Sequence, residues 1–433
     1  MEIKDKDSFC VYPWVHTHLN TEGDVYPCCV SWTPERQSRI GWLEKDSLED
    51  LFNNDKMKQL RLDMIAGKKR PDICDNCYKR EDAGFHSARQ GANVDFKNEL
   101  DNLIASTHED GYVEPIIKSW DIRFSNLCNL KCRSCGPMFS NTWAQEEKKA
   151  GAPIDSILIH PIENDTDPME NQYDNVEKIY FAGGEPLIMP EHYTVLRGLI
   201  NKGVAHKVHI IYNTNMTKLD YNNNDILDLW KQFKKVVLGV SIDAVGPRAE
   251  YIRHGMKWHV IEENLKKLKQ YCRDQGNLFF YFSPTVSLQN IHHMTDMHRY
   301  LVENNCMSNI DAVMFNILLQ PLHYDMRGLP DMIKDEITDR IDEHIEWCTE
   351  QGALVIPTFP EGSEHNEYVH DRMNAIKEFN TLKDYIQQPI EFPKGSFVNY
   401  TEMLDKRRNE SFTETFPEYA EWYRTIRQEW NDR

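Results

Sequence analysis

The stretch SNLCNLKCRSC, residues 125–135, directly follows a predicted strand and spaces Cys128, Cys132 and Cys135 as C-x3-C-x2-C. Each iron of a fully ligated cubane takes one thiolate, so three cysteines leave one iron open to another ligand. A structural zinc site normally has four ligands and a closed shell. The spacing therefore favours a [4Fe-4S] cluster with an open iron over a zinc knuckle.

Strand and helix patterns alternate six times around this loop, within residues 117–352. The strands are predicted, in chain order, at 117–124, 176–183, 208–213, 236–243, 277–287 and 310–320. Such alternation indicates an α/β fold with a parallel sheet and helices outside. Six units suit a partial (β/α)6 TIM-like barrel, whose chemistry gathers at the C-terminal ends of the strands. The cysteine loop lies at such an end.

Three further segments are predicted outside the barrel. Residues 1–95 are rich in cysteine, tryptophan and turns, which indicates a small accessory domain. Residues 96–116 form a polar connector. Residues 353–433 are polar with interspersed aromatic residues, and they predict a C-terminal extension that is mainly helical.

Composition narrows the classes of function. The chain has 69 acidic against 50 basic residues, a formal net charge of −19. This charge repels a phosphate backbone, so a nucleic acid partner is not expected, and a cationic peptide or a small molecule fits better. No stretch approaches the roughly 20 apolar residues that cross a bilayer, and the N-terminus lacks an apolar secretion segment. We expect a cytoplasmic protein with no membrane partner.

The cysteine loop resembles the signature of the radical S-adenosylmethionine (SAM) superfamily. The resemblance implies that the amino and carboxylate groups of SAM chelate the open iron. It also implies that electron transfer from the cluster releases a 5′-deoxyadenosyl radical, which abstracts hydrogen. Ser134 departs from the family pattern, because this position is usually aromatic and lies near the adenine of SAM.

A second motif, FAGGEPL (181–187), stands at the end of the second predicted strand. Two glycines, Gly183 and Gly184, allow the backbone to approach a ligand closely. The motif is similar to the GGEP segment of the family, in which the SAM amino group is received. The resemblance implies that Glu185 supplies the carboxylate for that ammonium.

The ends of the next two strands carry further candidate contacts to SAM. Asn213, in YNTNM (212–216), resembles the segment on the ribose side of SAM. Ser241 and Arg253 match positions that meet the SAM carboxylate in peptide-modifying members of the family. Arginine suits that role because its planar fork binds a carboxylate at two points. No residue is assigned a catalytic acid or base role.

A second group of cysteines lies near the N-terminus. Cys10, Cys28, Cys74 and Cys77 give C-x12-G-x4-C followed by C-x2-C. This pattern resembles the SPASM/twitch accessory domain, and it implies one auxiliary [4Fe-4S] cluster held by these four residues. Cys29 is an alternative to Cys28, and a four-cysteine zinc site is an alternative to the cluster.

The remaining cysteines and the histidines are interpreted as structural. Cys272, Cys306 and Cys348 fall in or beside predicted helices and are expected to be buried small apolar groups. The 17 histidines show no recognisable metal motif and are interpreted as surface or core residues.

Three functions remain open. The first is a radical SAM oxidoreductase that abstracts hydrogen from a peptide or protein side chain, with SAM, two clusters and an electron donor such as flavodoxin or ferredoxin. The second is a radical SAM dehydrogenase or rearrangement enzyme acting on a small metabolite. The third is a non-enzymatic protein that binds metal through cysteine.

Overall fold

The computed structural model describes residues 3, 5, 7–31, 36–82, 87–159, 167, 169–352 and 373–432. The described part separates into two compact units. The first unit contains residues 1–128, 137–212 and 220–237, and the second contains 129–136, 213–219 and 238–433. Part of the predicted C-terminal extension, residues 353–372, lies outside the described residues. The predicted domain boundaries remain predictions.

The first unit is built on a mostly parallel sheet. Its strands are β1 (His16–Leu19), β2 (Asp24–Tyr26), β3 (Gly41–Trp42), β4 (Ser119–Ile122), β5 (Lys178–Phe181), β6 (His209–Thr214) and the start of β9 (Lys235–Val240), with a small hairpin of β7 (Asp220–Tyr221) and β8 (Asn224–Asp225). The order within this unit is β9-β6-β5-β4-β1-β2-β3, in which β1–β2 and β2–β3 are the antiparallel pairs. Strand β1 pairs in parallel with β4, so the cysteine-rich N-terminal segment extends the same sheet.

The described residues of the first unit contain nine helices, and several of them begin at local capping signals. They are α1 (Tyr12–Val15), α2 (Leu48–Phe52), α3 (Asp55–Ile65), α4 (Pro71–Asp82), α5 (Ala88–Asp95), α6 (Leu100–Ala105), α7 (Asn141–Lys149), α8 (Pro190–Asn201) and α9 (Ile226–Trp230). Side chains of Ser47, Asn54, Ser87 and Ser140 accept hydrogen bonds from backbone N–H groups at helix starts. These caps satisfy amide groups that have no partner within the helix.

The second unit contains the end of β9 and the remaining elements. Its helices are α10 (Gly246–Ile252), α11 (Trp258–Gln275), α12 (Met294–Glu303), α13 (Asp331–Glu350), α14 (Ala375–Ile386), α15 (Lys394–Arg408), α16 (Phe412–Thr415) and α17 (Ala420–Asn431). Strand β10 (Leu278–Phe282) is the neighbour of β9, and β11 (Thr285–Val286) pairs in parallel with β12 (Asn316–Ile317). The helical C-terminus agrees with the prediction.

The two faces of the first unit's sheet differ in chemistry. One face presents Trp120, Ile122, Ile179 and Phe181, all fully buried. The other face is polar, and its aligned positions include His18, Asp121 and Tyr180, which are cross-strand partners on β1, β4 and β5. Alternation along each strand produces this separation, since successive side chains point to opposite faces.

The predicted α/β class with a mostly parallel sheet is confirmed. The sixth predicted strand, 310–320, is much shorter than expected. It is reduced to β12 and a single bridge between Val313 and Phe282. No described helix is long and apolar enough to cross a membrane.

Candidate functional site

The four N-terminal cysteines predicted as auxiliary ligands lie together in the first unit. Cys10 precedes α1, Cys28 precedes a short 3-10 turn, and Cys74 and Cys77 lie on one face of α4. Burial, and then the charges of Cys28, Cys74 and Cys77, raise the pKa of the Cys10 thiol. Burial and the neighbouring cysteine charges likewise raise the pKa of Cys28 and that of Cys74 to about 12.

These mutual effects place the four thiol groups near one another in a partly buried part of the unit. Four thiolates this close repel one another, and burial adds a further cost to each charge. A cationic group among them would offset both costs, and sulfur ligands suit iron-sulfur clusters and zinc. The donor set therefore fits the predicted auxiliary metal site.

Cys29 faces a different group from Cys28. Burial raises the pKa of Cys29 most, followed by the charge of Asp121 and then the charge of Cys28. Asp121 lies 3.2 Å from His18 Nδ1 and 3.5 Å from Arg123 Nε. Cys29 thus belongs to a polar group on β1 and β4, whereas Cys28 interacts with Cys74 and Cys77.

The GGEP motif packs directly against the start of the cysteine loop in the first unit. The backbone N–H of Gly184 donates to Ser125 O at 3.2 Å, and that of Glu185 donates to Leu127 O at 2.8 Å. A Cβ atom on Gly184 would lie 2.2 Å from Leu127 O, so only glycine fits there. Gly183 has φ of +112°, which side chains rarely permit.

Glu185 is a buried carboxylate at the end of β5. Only 1% of its surface is exposed, and Oε1 accepts a hydrogen bond from the Leu187 N–H at 3.1 Å. Burial and the charge of Glu185 raise the pKa of Tyr193. An ionised carboxylate in such a place favours a cationic partner, and this fits the ammonium that the sequence analysis assigned to it.

Cys128 belongs to the first unit, where its backbone N–H donates to Asn141 Oδ1 at 2.9 Å. Cys132 and Cys135 belong to the second unit, and the charge of Cys135 contributes to the raised pKa of Cys132. Burial is the main cause and raises the pKa of Cys132 to about 12. The charge of Arg253 acts in the opposite direction.

Arg253 lies beside the cysteine loop. Its guanidinium forms an ion pair with Asp243, a residue that the sequence analysis missed. Its Nε lies 2.8 Å from Asp243 Oδ2, and its Nη2 donates to Asp243 Oδ1 at 2.8 Å. Its remaining nitrogen, Nη1, lies 3.8 Å from Cys132 Sγ. Asp243 is fully buried and also accepts from the Thr285 N–H. Asp243 stands two residues after Ser241 in the segment SID (241–243), so it could have been noticed as a partner for Arg253.

The other predicted SAM contacts lie near the ends of β6 and β9. The Ser241 N–H donates to Thr214 O at 2.8 Å. A Cβ on Gly239 would lie 2.6 Å from Asn213 Oδ1, so glycine leaves room for that amide. Asn213, Ser241 and Ser134 are partly exposed, as a ligand-facing side chain requires.

Arg133 anchors the cysteine loop to the C-terminal helices within the second unit. It lies between Cys132 and Ser134 and is completely buried. Its Nη2 donates to Asp405 at 2.5 Å and to Glu410 at 2.6 Å. The guanidinium carbon lies 3.6 Å from the ring centroid of Tyr251, whose hydroxyl donates to Asp405.

Backbone contacts reinforce this anchor. The N–H of Arg133 donates to Ile252 O, and that of Lys131 donates to His254 O. His254 Nδ1 lies 2.6 Å from Glu410. The sequence analysis missed this anchor, because Asp405 and Glu410 lie more than 270 residues from Arg133.

Comparisons with known proteins agree with this arrangement. Residues 122–301 match the model of the radical SAM superfamily, and residues 10–78 match SPASM, an iron-sulfur cluster-binding domain. The predicted family and the N-terminal position of the accessory domain are confirmed. No curated protein matches the chain.

Two solved structures are similar to the chain at low identity. Native anSMEcpe with bound AdoMet and the Cp18Cys peptide is 18% identical, with a TM-score of 0.35, over 54% of this chain and 60% of that one. SuiB of Streptococcus suis bound to S-adenosylmethionine is 12% identical, with a TM-score of 0.34, over 79% of this chain and 71% of that one. The chain thus spans less than two thirds of the first structure.

Proposed function

This chain contains a radical SAM domain and an N-terminal SPASM domain, and we propose that it abstracts hydrogen from a peptide or protein side chain. One observation carries the proposal: a three-cysteine loop and a separate group of four converging cysteines occur in the same chain. The first set leaves an iron open for SAM, and the second offers a closed shell suited to electron transfer. A single metal-binding module would not need both sets.

The residues that would hold the first cluster are Cys128, Cys132 and Cys135, and those for the auxiliary cluster are Cys10, Cys28, Cys74 and Cys77. When bound, the first cluster supplies the electron that cleaves SAM to a 5′-deoxyadenosyl radical. We assign the SAM amino group to Glu185, the carboxylate to Ser241 and Arg253, the ribose to Asn213, and the adenine side to Ser134. Gly183 and Gly184 let the GGEP backbone approach the start of the cysteine loop closely, and this keeps Glu185 beside that loop.

Asp243 positions Arg253 in this proposal. The Asp243 carboxylate holds the guanidinium through one hydrogen bond from Nη2 and a close ion pair between Nε and Oδ2. Nη1 is directed towards Cys132 Sγ, on the side of the loop where we place the SAM carboxylate. The proposal also includes an external electron donor such as flavodoxin or ferredoxin.

Two observations favour a peptide substrate. The net charge of −19 attracts cationic groups such as lysine and arginine side chains. Ser241 and Arg253 also occupy positions that match peptide-modifying members of the family. Neither observation identifies the atom from which hydrogen is abstracted. A small metabolite is therefore the second candidate substrate.

The first test is anaerobic incubation of the reconstituted chain with SAM and dithionite. We expect 5′-deoxyadenosine from the wild type and from Cys272→Ala, a matched control on α11 outside both cysteine groups. We expect none from Cys132→Ala. Product from Cys132→Ala equal to that of the wild type, or no product from the wild type, would refute radical SAM chemistry.

A second test separates the two substrate classes. A cell extract from deuterium-grown cells is divided by size into a peptide fraction and a metabolite fraction, and each is added to the same reaction. Deuterium should enter 5′-deoxyadenosine from the peptide fraction. Deuterium transfer from the metabolite fraction alone would replace the peptide proposal by the second candidate.

A further inference from the structure

Three side chains that commonly bind metals meet in the core of the second unit. His298 lies on α12, and His344 and Cys348 lie one turn apart on α13. Their exposed fractions are 0%, 2% and 0%. None of the three belongs to the cysteine groups or to the SAM contacts proposed above.

The ligand atoms of these residues converge on one point. His298 Nδ1 lies 2.8 Å from His344 Nε2 and 3.8 Å from Cys348 Sγ. All three ligand atoms lie within 4.8 Å of one another. The spacing of His344 and Cys348, four residues apart on a helix, places both side chains on the same face.

The polar atoms of these three side chains cannot all form hydrogen bonds with one another. His298 Nε2 lies 2.8 Å from Ile310 O, and a carbonyl only accepts, so Nε2 carries the proton and Nδ1 has a lone pair. The N–H of His344 and the S–H of Cys348 then compete for that single lone pair. His344 Nδ1 has no hydrogen-bond partner among the described residues.

Aromatic rings pack against the two imidazoles and would fix them in place, and the charge of Arg299 also acts on His344 and Cys348. The ring of Trp347 stacks on His344 with centroids 5.1 Å apart. Phe379 contacts the edges of both imidazoles, with centroids 4.6 Å from His344 and 5.5 Å from His298. The Ile310 carbonyl acts on His298 as the second hydrogen-bond partner that orients most metal-bound histidines.

We propose that His298, His344 and Cys348 bind a zinc ion that joins α12 to α13, with a solvent molecule as the fourth ligand. Tetrahedral zinc, with bonds of about 2.0 to 2.3 Å, separates two nitrogen ligands by about 3.3 Å and nitrogen from sulfur by about 3.6 Å. The two separations from His298 Nδ1, 2.8 Å to His344 Nε2 and 3.8 Å to Cys348 Sγ, differ from these values by about half an ångström or less. Small side-chain rotations are enough to open the site for the ion.

Charge balance points to a fourth group. Binding requires Cys348 to lose its proton to solvent, so the ion and one thiolate together keep a single positive charge. Asp311 is buried, and its charge acts on Cys348. Its Oδ1 accepts from the Ala375 N–H at 2.9 Å. The negative charge of Asp311 offsets part of the positive charge left at the site, and the charge of Arg299 opposes it.

The test uses the full chain with its iron-sulfur clusters reconstituted, so that the seven cysteines assigned to the two clusters are occupied. Zinc chloride is added, excess is removed, and zinc and iron are measured together by mass spectrometry. We expect about one zinc per chain in the wild type and in the control Cys306→Ser, a cysteine of the α12 region outside the site. Cys348→Ser and His344→Gln should bind zinc at least tenfold more weakly.

Spectroscopy and stability distinguish this site from zinc held in the cysteine groups. The zinc absorption edge should report one sulfur and two nitrogen ligands in the wild type. Zinc should raise the unfolding temperature of the wild type and leave that of Cys348→Ser unchanged, at equal iron content. Zinc bound only through several sulfurs, full zinc in Cys348→Ser, or less than a fifth of one zinc per wild-type chain would each overturn the proposal.

Discussion

Cys28 and Cys29 are adjacent in the sequence, but their sulfurs face different groups. Cys28 interacts with Cys74 and Cys77, whereas the charge that acts most strongly on Cys29 is that of Asp121. Cys28→Ser should therefore lose the auxiliary cluster, and iron should fall from about eight to about four per chain. Cys29→Ser should keep about eight. Iron and sulfide content after anaerobic reconstitution gives the answer.

The opposite result would be equally clear. If Cys29→Ser loses the auxiliary iron and Cys28→Ser retains it, Cys29 is the ligand and its contact with Asp121 must change when metal binds. If both variants keep all their iron, neither cysteine is required. Each of the two variants is the control for the other, because both substitutions remove one sulfur from the same turn.

At the scale of elements, one buried arginine holds the cysteine loop against α15 and the turn after it. Arg133→Met removes the positive charge between Asp405 and Glu410, which are themselves mostly buried. Removing one partner of such a group costs about 3 kcal/mol, because the remaining charges stay buried without compensation. We expect lower stability in chemical unfolding, together with reduced iron in the cysteine loop.

Two further variants serve as controls for the unfolding experiment on Arg133→Met. Arg133→Lys should restore part of the stability, since lysine keeps the charge but cannot replace the planar fork. Arg427→Met removes an exposed ion pair with Glu402 and should change stability by less than about 0.5 kcal/mol. Equal effects of Arg133→Met and Arg427→Met would mean that the anchor adds nothing beyond a surface ion pair.

A second element contact should depend on pH. His293, before α12, bonds to Asp296 at 3.0 Å and to Glu418 at 2.6 Å. Burial lowers its pKa, but these hydrogen bonds outweigh burial and raise the pKa above 6.5. A raised histidine pKa stabilises the fold below the unfolded value of 6.5, and this stabilisation is lost as pH rises through the folded pKa.

His293→Gln should consequently destabilise the protein more at pH 6 than at pH 9, measured by chemical unfolding at both values. His292 is the matched control, because burial lowers its pKa despite its bond to Glu336. Charging His292 is therefore unfavourable in the fold, and the cost of His292→Gln should shrink at pH 6. A pH-independent effect of His293→Gln would show that its charge does not contribute.

At the scale of the whole molecule, metal and folding should be linked. The auxiliary cysteines come from three separate segments, before α1, after β2 and on α4, within a sheet-containing unit. A cluster bound only by the folded form adds its binding free energy to stability. Oxidative removal of iron with a chelator should lower the unfolding temperature, and anaerobic reconstitution should restore it.

Calorimetry of the Cys132→Ala variant tests whether the change in unfolding temperature comes from the auxiliary cluster. This variant should lack the SAM-binding cluster while keeping the auxiliary one, so most of the stabilisation should remain until iron is removed. An unfolding temperature that is the same with and without iron would argue against a structural contribution from either cluster.

The sequence by itself determined the α/β class, the family and the N-terminal place of the accessory domain. Those conclusions depend on short-range information: the spacing of cysteines within one loop, the GGEP turn, and the alternation of strand and helix periods. Such local patterns can be recognised without knowing which distant parts of the chain come into contact. The sixth strand was overestimated for the same reason, because an apolar run does not reveal whether a partner strand is present.

Only the tertiary structure decided which distant groups meet. It placed β1 beside β4, turned Cys29 towards Asp121, engaged Arg253 with Asp243, and buried Arg133 between Asp405 and Glu410. It also brought His298 to His344 and Cys348, which the sequence analysis had interpreted as ordinary core residues. Such contacts join residues far apart in the chain, and neither periodicity nor spacing records them. They arise when packing and charge compensation select one arrangement of the whole chain.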